Sequence, residues 1–154
     1  MSFGLDLAQK GLSLYTIPFA LLSIMGAHGY ASALAGKSYD PATPRQLQSV
    51  LASDEKMDKI VKARIQRAQA AAQNGFESLG LYAAGVVAAN VAGVDPRSVN
   101  LISFGYIGCR VLYNIIYIRL QDNRAWAPIR SLVWTTSIGL IFTSYIMAAR
   151  QWAA

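Results

Sequence analysis

Charge is scarce in this chain: of 154 residues only 14% are Asp, Glu, Lys or Arg, while 54% are hydrophobic. An ordinary soluble domain is about a quarter charged, so the positive mean hydropathy here points to lipid as the solvent. Cysteine is almost absent. The single Cys109 excludes an intrachain disulfide or a cysteine metal cluster, and it reads as a small buried hydrophobe. Histidine is as rare: His28 stands in an apolar run without a second histidine or an acid beside it, so no metal site is expected. The chain also lacks a phosphate-cradling glycine loop, a Ser-His-Asp set and any haem or zinc signature.

What it has is apolar length. Crossing a bilayer core of about 30 Å takes roughly 20 apolar residues per helix. Stretches at about 11–35, 68–92, 99–120 and 129–152 meet that length. Turn chemistry separates them: Lys37 with Pro41 and Pro44, then Asp95-Pro96, then Gln121-Asp122-Asn123 with Pro128. The first stretch lacks a basic start and exceeds a signal-peptide core, so it is read as a retained helix. Period-two alternation, the mark of a membrane β-barrel, is missing. The expected fold is an all-α integral membrane four-helix bundle forming one domain over residues 1–154.

Basic residues divide unevenly between the connections. Lys37, Arg45, Lys56, Lys59, Lys62, Arg64 and Arg67 fall between the first two helices, and Arg119, Arg124 and Arg130 between the last two. Only Lys10, Arg97 and Arg150 fall on the other side, so the two basic loops are predicted to face the cytoplasm. The net charge of +6 therefore reflects topology and lipid headgroups rather than nucleic acid. In the first loop, the run Asp54-Glu55-Lys56-Met57-Asp58-Lys59 suggests a solvated connector with a short surface helix. Tyr15, Tyr106, Tyr145, Trp134 and Trp152 fit interfacial belts or lipid-facing packing.

The second helix is crowded with Ala and Gly, which let backbones approach closely in lipid. It also carries Arg67, Gln73, Asn74 and Glu77, and the third carries Arg110, Tyr113, Asn114 and Tyr117 at i, i+3, i+4 and i+7. That spacing makes a polar stripe about two turns tall. A charge near the centre of a membrane helix costs about 2.5–3.5 kcal/mol even on mild scales, so such residues face the bundle interior and pair. Glu77 with Arg110 is the expected pair. A fastener between two helices needs fewer polar groups than these, which favours a polar ligand pocket.

Arg67-Ala68-Gln69-Ala70-Ala71-Ala72-Gln73-Asn74-Gly75-Phe76-Glu77, then Arg110-Val111-Leu112-Tyr113-Asn114-Ile115-Ile116-Tyr117, then Ile129-Arg130-Ser131 resembles the MAPEG family, membrane-associated proteins in eicosanoid and glutathione metabolism. The form of the first motif and the long first loop look most like fungal members related to microsomal glutathione transferases. The resemblance implies a homotrimer with glutathione as cosubstrate, bound near the cytoplasmic side between subunits, and a location in the endoplasmic reticulum. It implies a glutathione site made by Arg67, Gln73, Asn74, Glu77, Arg110, Tyr113, Asn114, Tyr117 and Arg130, with Arg130, Ser131 and Tyr117 as the catalytic group near the sulfur.

Those residue types suit that ligand, because Arg binds carboxylates bidentately and a cation or hydroxyl lowers a thiol pKa. The implied activity is that of a transferase or peroxidase on lipophilic electrophiles, with an isomerase or conjugation step in secondary metabolism as a variant. Compared with the animal prostaglandin synthase pattern, Ala70 and Gln73 replace basic residues, Tyr113 replaces a His and Trp134 replaces a Tyr. These departures argue against prostaglandin or leukotriene synthesis and open the alternative of a non-catalytic lipid-binding scaffold. A transporter is disfavoured, since no inverted repeat or broken helix is present.

Overall fold

The computed structural model describes residues 6–154, and among these every regular element is helical. A 3₁₀ turn at Leu12–Tyr15 leads into α1, Thr16–Ala35. The first connection holds the short helix α2, Leu47–Ser53, started by a 3₁₀ turn with Pro44 in its first position. The long helices α3, Lys59–Val91, α4, Pro96–Ile115, and α5, Ala127–Trp152, complete the order.

Caps define where these helices begin. The Asp58 carboxylate accepts from the amides of Ile60 and Val61 at 2.9 and 3.1 Å, which starts α3 at Lys59 rather than near residue 68. Asp95 does the same for α4, accepting from the Ser98 amide at 2.9 Å with Pro96 in the first turn. Hydrogen bonds from the Ser98 hydroxyl and amide hold the Asp95 carboxyl below the usual carboxylate range.

Three helical stretches are long and apolar enough to cross a membrane: Leu12–Ser38, Pro96–Leu120 and Arg124–Trp152. The chain is an integral membrane protein on that ground. The expected fourth span, within α3, falls outside this group, because Gln69, Gln73, Asn74, Glu77 and Asn90 dilute an already small-residue helix. At 33 residues α3 is about 50 Å long, more than the hydrocarbon core needs. It packs against α1, α4 and α5, and α5 packs in turn on α4.

Small side chains make that packing close. Ala20, Ala27, Ala31 and Ala35 of α1 are buried, as are Ala68, Ala71, Ala72 and Ala89 of α3. In lipid the gain comes from van der Waals contact and interhelical hydrogen bonds rather than from leaving water. Gly75 marks the tightest point: a Cβ there would lie 2.5 Å from Ile24 Cγ1 and 3.1 Å from Arg110 Nη2. Any larger residue must push α1 or α4 away.

Farther along α3, Tyr82 stacks on Tyr106 of α4 with centroids 3.7 Å apart. Their hydroxyls are engaged as well, Tyr106 with Ser78 at 3.2 Å and Tyr82 with Thr16 of α1. α4 does not end as a plain α-helix. Ile116–Leu120 forms a π-helical turn in which the Gln121 amide donates to the Ile116 carbonyl at 3.0 Å. Such turns re-aim side chains, and Tyr117 lies in this one.

Candidate functional site

A cleft of about 380 Å³ opens between α3, α4 and α5 where the predicted motifs converge. Ala70, Gln73, Asn74 and Glu77 come from α3, Tyr113 and Tyr117 from α4 and its π turn, and Arg130, Ser131 and Trp134 from α5. Three motifs far apart in sequence thus share one wall.

Behind the cleft wall, outside its lining, lies a buried cation. Arg110 is only 3% exposed, and it donates from Nη1 to Asn74 Oδ1 at 2.9 Å. Its guanidinium also sits over the Tyr113 ring, 5.0 Å from the centroid, a cation–π contact that compensates burial. The expected Glu77–Arg110 ion pair is therefore not formed. Asn74 takes the cation instead, while Glu77 faces outward and accepts only from Gln73 Nε2 at 3.2 Å, one turn before it on the same helix.

Across the cleft stands a second cation. The Arg130 guanidinium lies over the Tyr117 ring at 4.7 Å, and Tyr117 packs on Tyr113 with centroids 5.5 Å apart. Ser131 Oγ is 3.5 Å from Arg130 Nη2. Among the described residues the ion pairs are Arg64–Asp122 and Arg67–Asp122, so neither Glu77 nor Arg130 has an oppositely charged partner there. An acid and a cation in one cleft, each without a counter-charge, fit a ligand that carries both signs.

Besides Arg110, which stands behind the lining, two residues of the expected set lie elsewhere. Arg67 belongs to the surface near the α4–α5 connection, where it and Arg64 clamp Asp122, the Arg64 contact being 2.6 Å. The two guanidiniums hold the Asp122 carboxyl below the usual range. Asn114 turns toward α1, donating to the Ser23 carbonyl at 3.3 Å and hydroxyl at 3.1 Å. The reason is angular, since residues one apart on a helix point about 100° apart and Tyr113 already faces α5.

Sequence reading missed a second cleft of about 750 Å³ on the other flank of α3. Its walls include His28, Tyr39, Arg45, Gln48 and Gln69, and it shares Gln73 and Glu77 with the first. Pro44 at the start of a helical turn was the available signal that Arg45 and Gln48 are held in place rather than in free loop. Tyr39 approaches the lone His28 edge-on, their rings 6.1 Å apart, and no cluster of residues suited to a metal ion occurs among the described residues.

A membrane bundle of closely packed helices, with a polar cleft walled by three of them, is the class these features define. Residues 12–150 match the model of the MAPEG family, and the chain belongs to that family. No curated protein and no solved structure matches it.

Proposed function

We propose that the protein is a glutathione-dependent membrane enzyme, a transferase or peroxidase acting on lipophilic electrophiles, of the microsomal glutathione transferase kind and most like fungal members. The observation that carries this reading is the presence in one cleft of an acid, Glu77, and a cation, Arg130, neither of them ion-paired among the described residues. Glutathione supplies a thiol nucleophile, two carboxylates and an ammonium group. Glu77 accepts from the ammonium, with Gln73 holding its carboxylate in place. Arg110 orients Asn74, leaving that amide's NH₂ to donate to a peptide carbonyl or carboxylate.

Arg130 is placed at the sulfur. A free thiol has a pKa of about 8.5, and a guanidinium beside it favours the thiolate. Ser131 and Tyr117 add hydroxyl donors to the same sulfur, and the Tyr117 ring holds the guanidinium in position. In the transfer step the thiolate sulfur forms a bond to the electrophilic carbon while that carbon's bond to its leaving group breaks and the group departs with the electron pair; at an activated double bond the displaced π pair instead takes a proton from water. An apolar electrophile reaches the cleft from the bilayer.

The remaining parts of this reading are one domain over the chain, a homotrimer in the endoplasmic reticulum membrane, and basic loops on the cytoplasmic side. Family membership supports the trimer. An isomerase or conjugation step in secondary metabolism uses the same thiolate. Trp134 and Ala70 in the cleft wall support a second reading, a lipid-binding scaffold without catalysis, because each puts apolar surface where a polar ligand needs donors. Titration of the purified protein with glutathione, recording thiolate absorbance, separates the two. A saturable thiolate signal is expected, and its absence at millimolar glutathione would overturn the enzyme reading.

A further inference from the structure

One wall of the cleft between α3, α4 and α5 carries a large side chain that the polar chemistry of glutathione does not use. Trp134 stands on α5 one turn beyond Arg130 and Ser131, neighbouring both, and its indole is 38% exposed along the cleft. Indole is the best cation–π platform, and a guanidinium one turn away is within reach of it. Arg130 lies over Tyr117 instead. Among the described residues the aromatic pairs are His28–Tyr39, Tyr82–Tyr106 and Tyr113–Tyr117, and the guanidiniums over rings lie on Tyr30, Tyr113 and Tyr117. The Trp134 ring therefore lines the cleft with neither a ring nor a cation over it. It also lies about 6 Å deeper along the apolar stretch Arg124–Trp152 than Arg130 does, on the side from which an apolar electrophile arrives.

We propose that Trp134 is a specificity-determining residue, selecting a planar, electron-poor arene that carries its electrophilic carbon next to the ring, such as an aryl-conjugated enal, over a flexible alkyl electrophile. This selection rests on the glutathione-dependent reading above. An open indole face offers carboxylates and ammonium groups nothing, whereas flat rings gain from offset stacking on its electron-rich surface. The thiol proton passes to water as the thiolate forms beside Arg130 and Ser131. The sulfur then bonds to the β-carbon of the enal, the π pair moves through the carbonyl to oxygen, and a proton from water ends on the α-carbon, so nothing is oxidised or reduced. An arene on that β-carbon falls one helical turn from the residues at the sulfur, which is where the indole stands.

The test uses the full-length protein in neutral detergent with glutathione and two enals of equal carbon count, 4-nitrocinnamaldehyde and trans-2-nonenal, each rate corrected for the uncatalysed addition. Trp134→Leu should lower kcat/KM for the aryl enal about fivefold more than for the alkyl enal, the size of one aromatic pair contact. Trp134→Phe keeps a ring at the position and should restore most of that difference. Calorimetry reads the same contact without turnover: Trp134→Leu should weaken S-(4-nitrobenzyl)glutathione about fivefold more than S-hexylglutathione. An aryl-to-alkyl ratio that Trp134→Leu leaves unmoved in either measurement, or that Trp134→Phe lowers as far as Trp134→Leu does, would overturn the role of Trp134 and leave the enzyme reading intact. Absence of both turnover and conjugate binding in the native protein would overturn the enzyme reading, and the selection with it.

Discussion

Asparagines stand on α3 and α4 at both ends of the bundle, and the two ends use them differently. At the end where the chain starts, Asn100 is 1% exposed and fully engaged, accepting from the Ser13 amide at 2.8 Å and donating to the Leu7 and Gln9 carbonyls at 2.7 and 2.9 Å. Asn90 adds a bond to the Ser13 hydroxyl at 2.9 Å. That end is tied shut. At the other end Asn74 is engaged only through its carbonyl, and among the described residues Glu77 and Arg130 lack counter-charges. Polar groups that satisfy one another position helices, and those left with free capacity can serve a ligand.

Substitution should separate the two ends by what fails. Asn100→Ala leaves an amide and two carbonyls without their partner, and a loss of about 3 kcal/mol in stability is expected. Thermal melting checks it. Glutathione affinity of the protein that still folds should not change, and a change would mean that the ends are coupled. Arg130→Ala should do the opposite, lowering turnover about a hundredfold with no shift in melting, as for loss of one transition-state contact. Turnover should fall more than glutathione binding, and equal losses would make Arg130 an anchor.

Smaller effects probe the boundary between the two regions. Gly75→Ala inserts a methyl against Ile24 and Arg110, and about 2 kcal/mol of destabilisation is expected by melting, with a glutathione defect following because Arg110 holds Asn74. Glu77→Gln removes an exposed charge that no buried cation depends on. Glutathione affinity by calorimetry should fall about tenfold while stability holds. A fall in stability would restore the Glu77–Arg110 fastener.

Much of this arrangement is legible in sequence because lipid imposes length. Runs of apolar residues bounded by Asp95-Pro96 and Pro128 mark α4 and α5 closely. The start of α3 is not legible in that way, since its first turns lie outside the apolar run and depend on an exposed cap, Asp58, set within a run of charges. Tyr113, Tyr117, Arg130 and Ser131 share a wall as their motifs suggest, but the polar stripe on α4 is too wide for one site. It spans about 100°, so one edge faces α5 and the other α1, and Asn114 parts from Tyr113. Arg67 parts from Asn74 for a different reason. Two turns nearer the helix start, it meets Asp122, which periodicity within one helix cannot reveal.

The Asp122 clamp also supplies the weakest test of the comparison, because it ties the end that carries the site without entering it. Arg64 and Arg67 hold the carboxyl below its ordinary range, so the folded state binds a proton less readily than the unfolded chain. The contribution is therefore present above the ordinary carboxylate pKa of about 3.9 and fades as pH drops through the lower folded value. Asp122 is about a third exposed, and after solvent screening the clamp is worth at most about 1 kcal/mol. Asp122→Asn should melt slightly below the native protein at pH 7, and the gap should close toward pH 3 and shrink in 1 M salt. A gap independent of both pH and salt would assign the Asp122 effect to loop packing rather than charge.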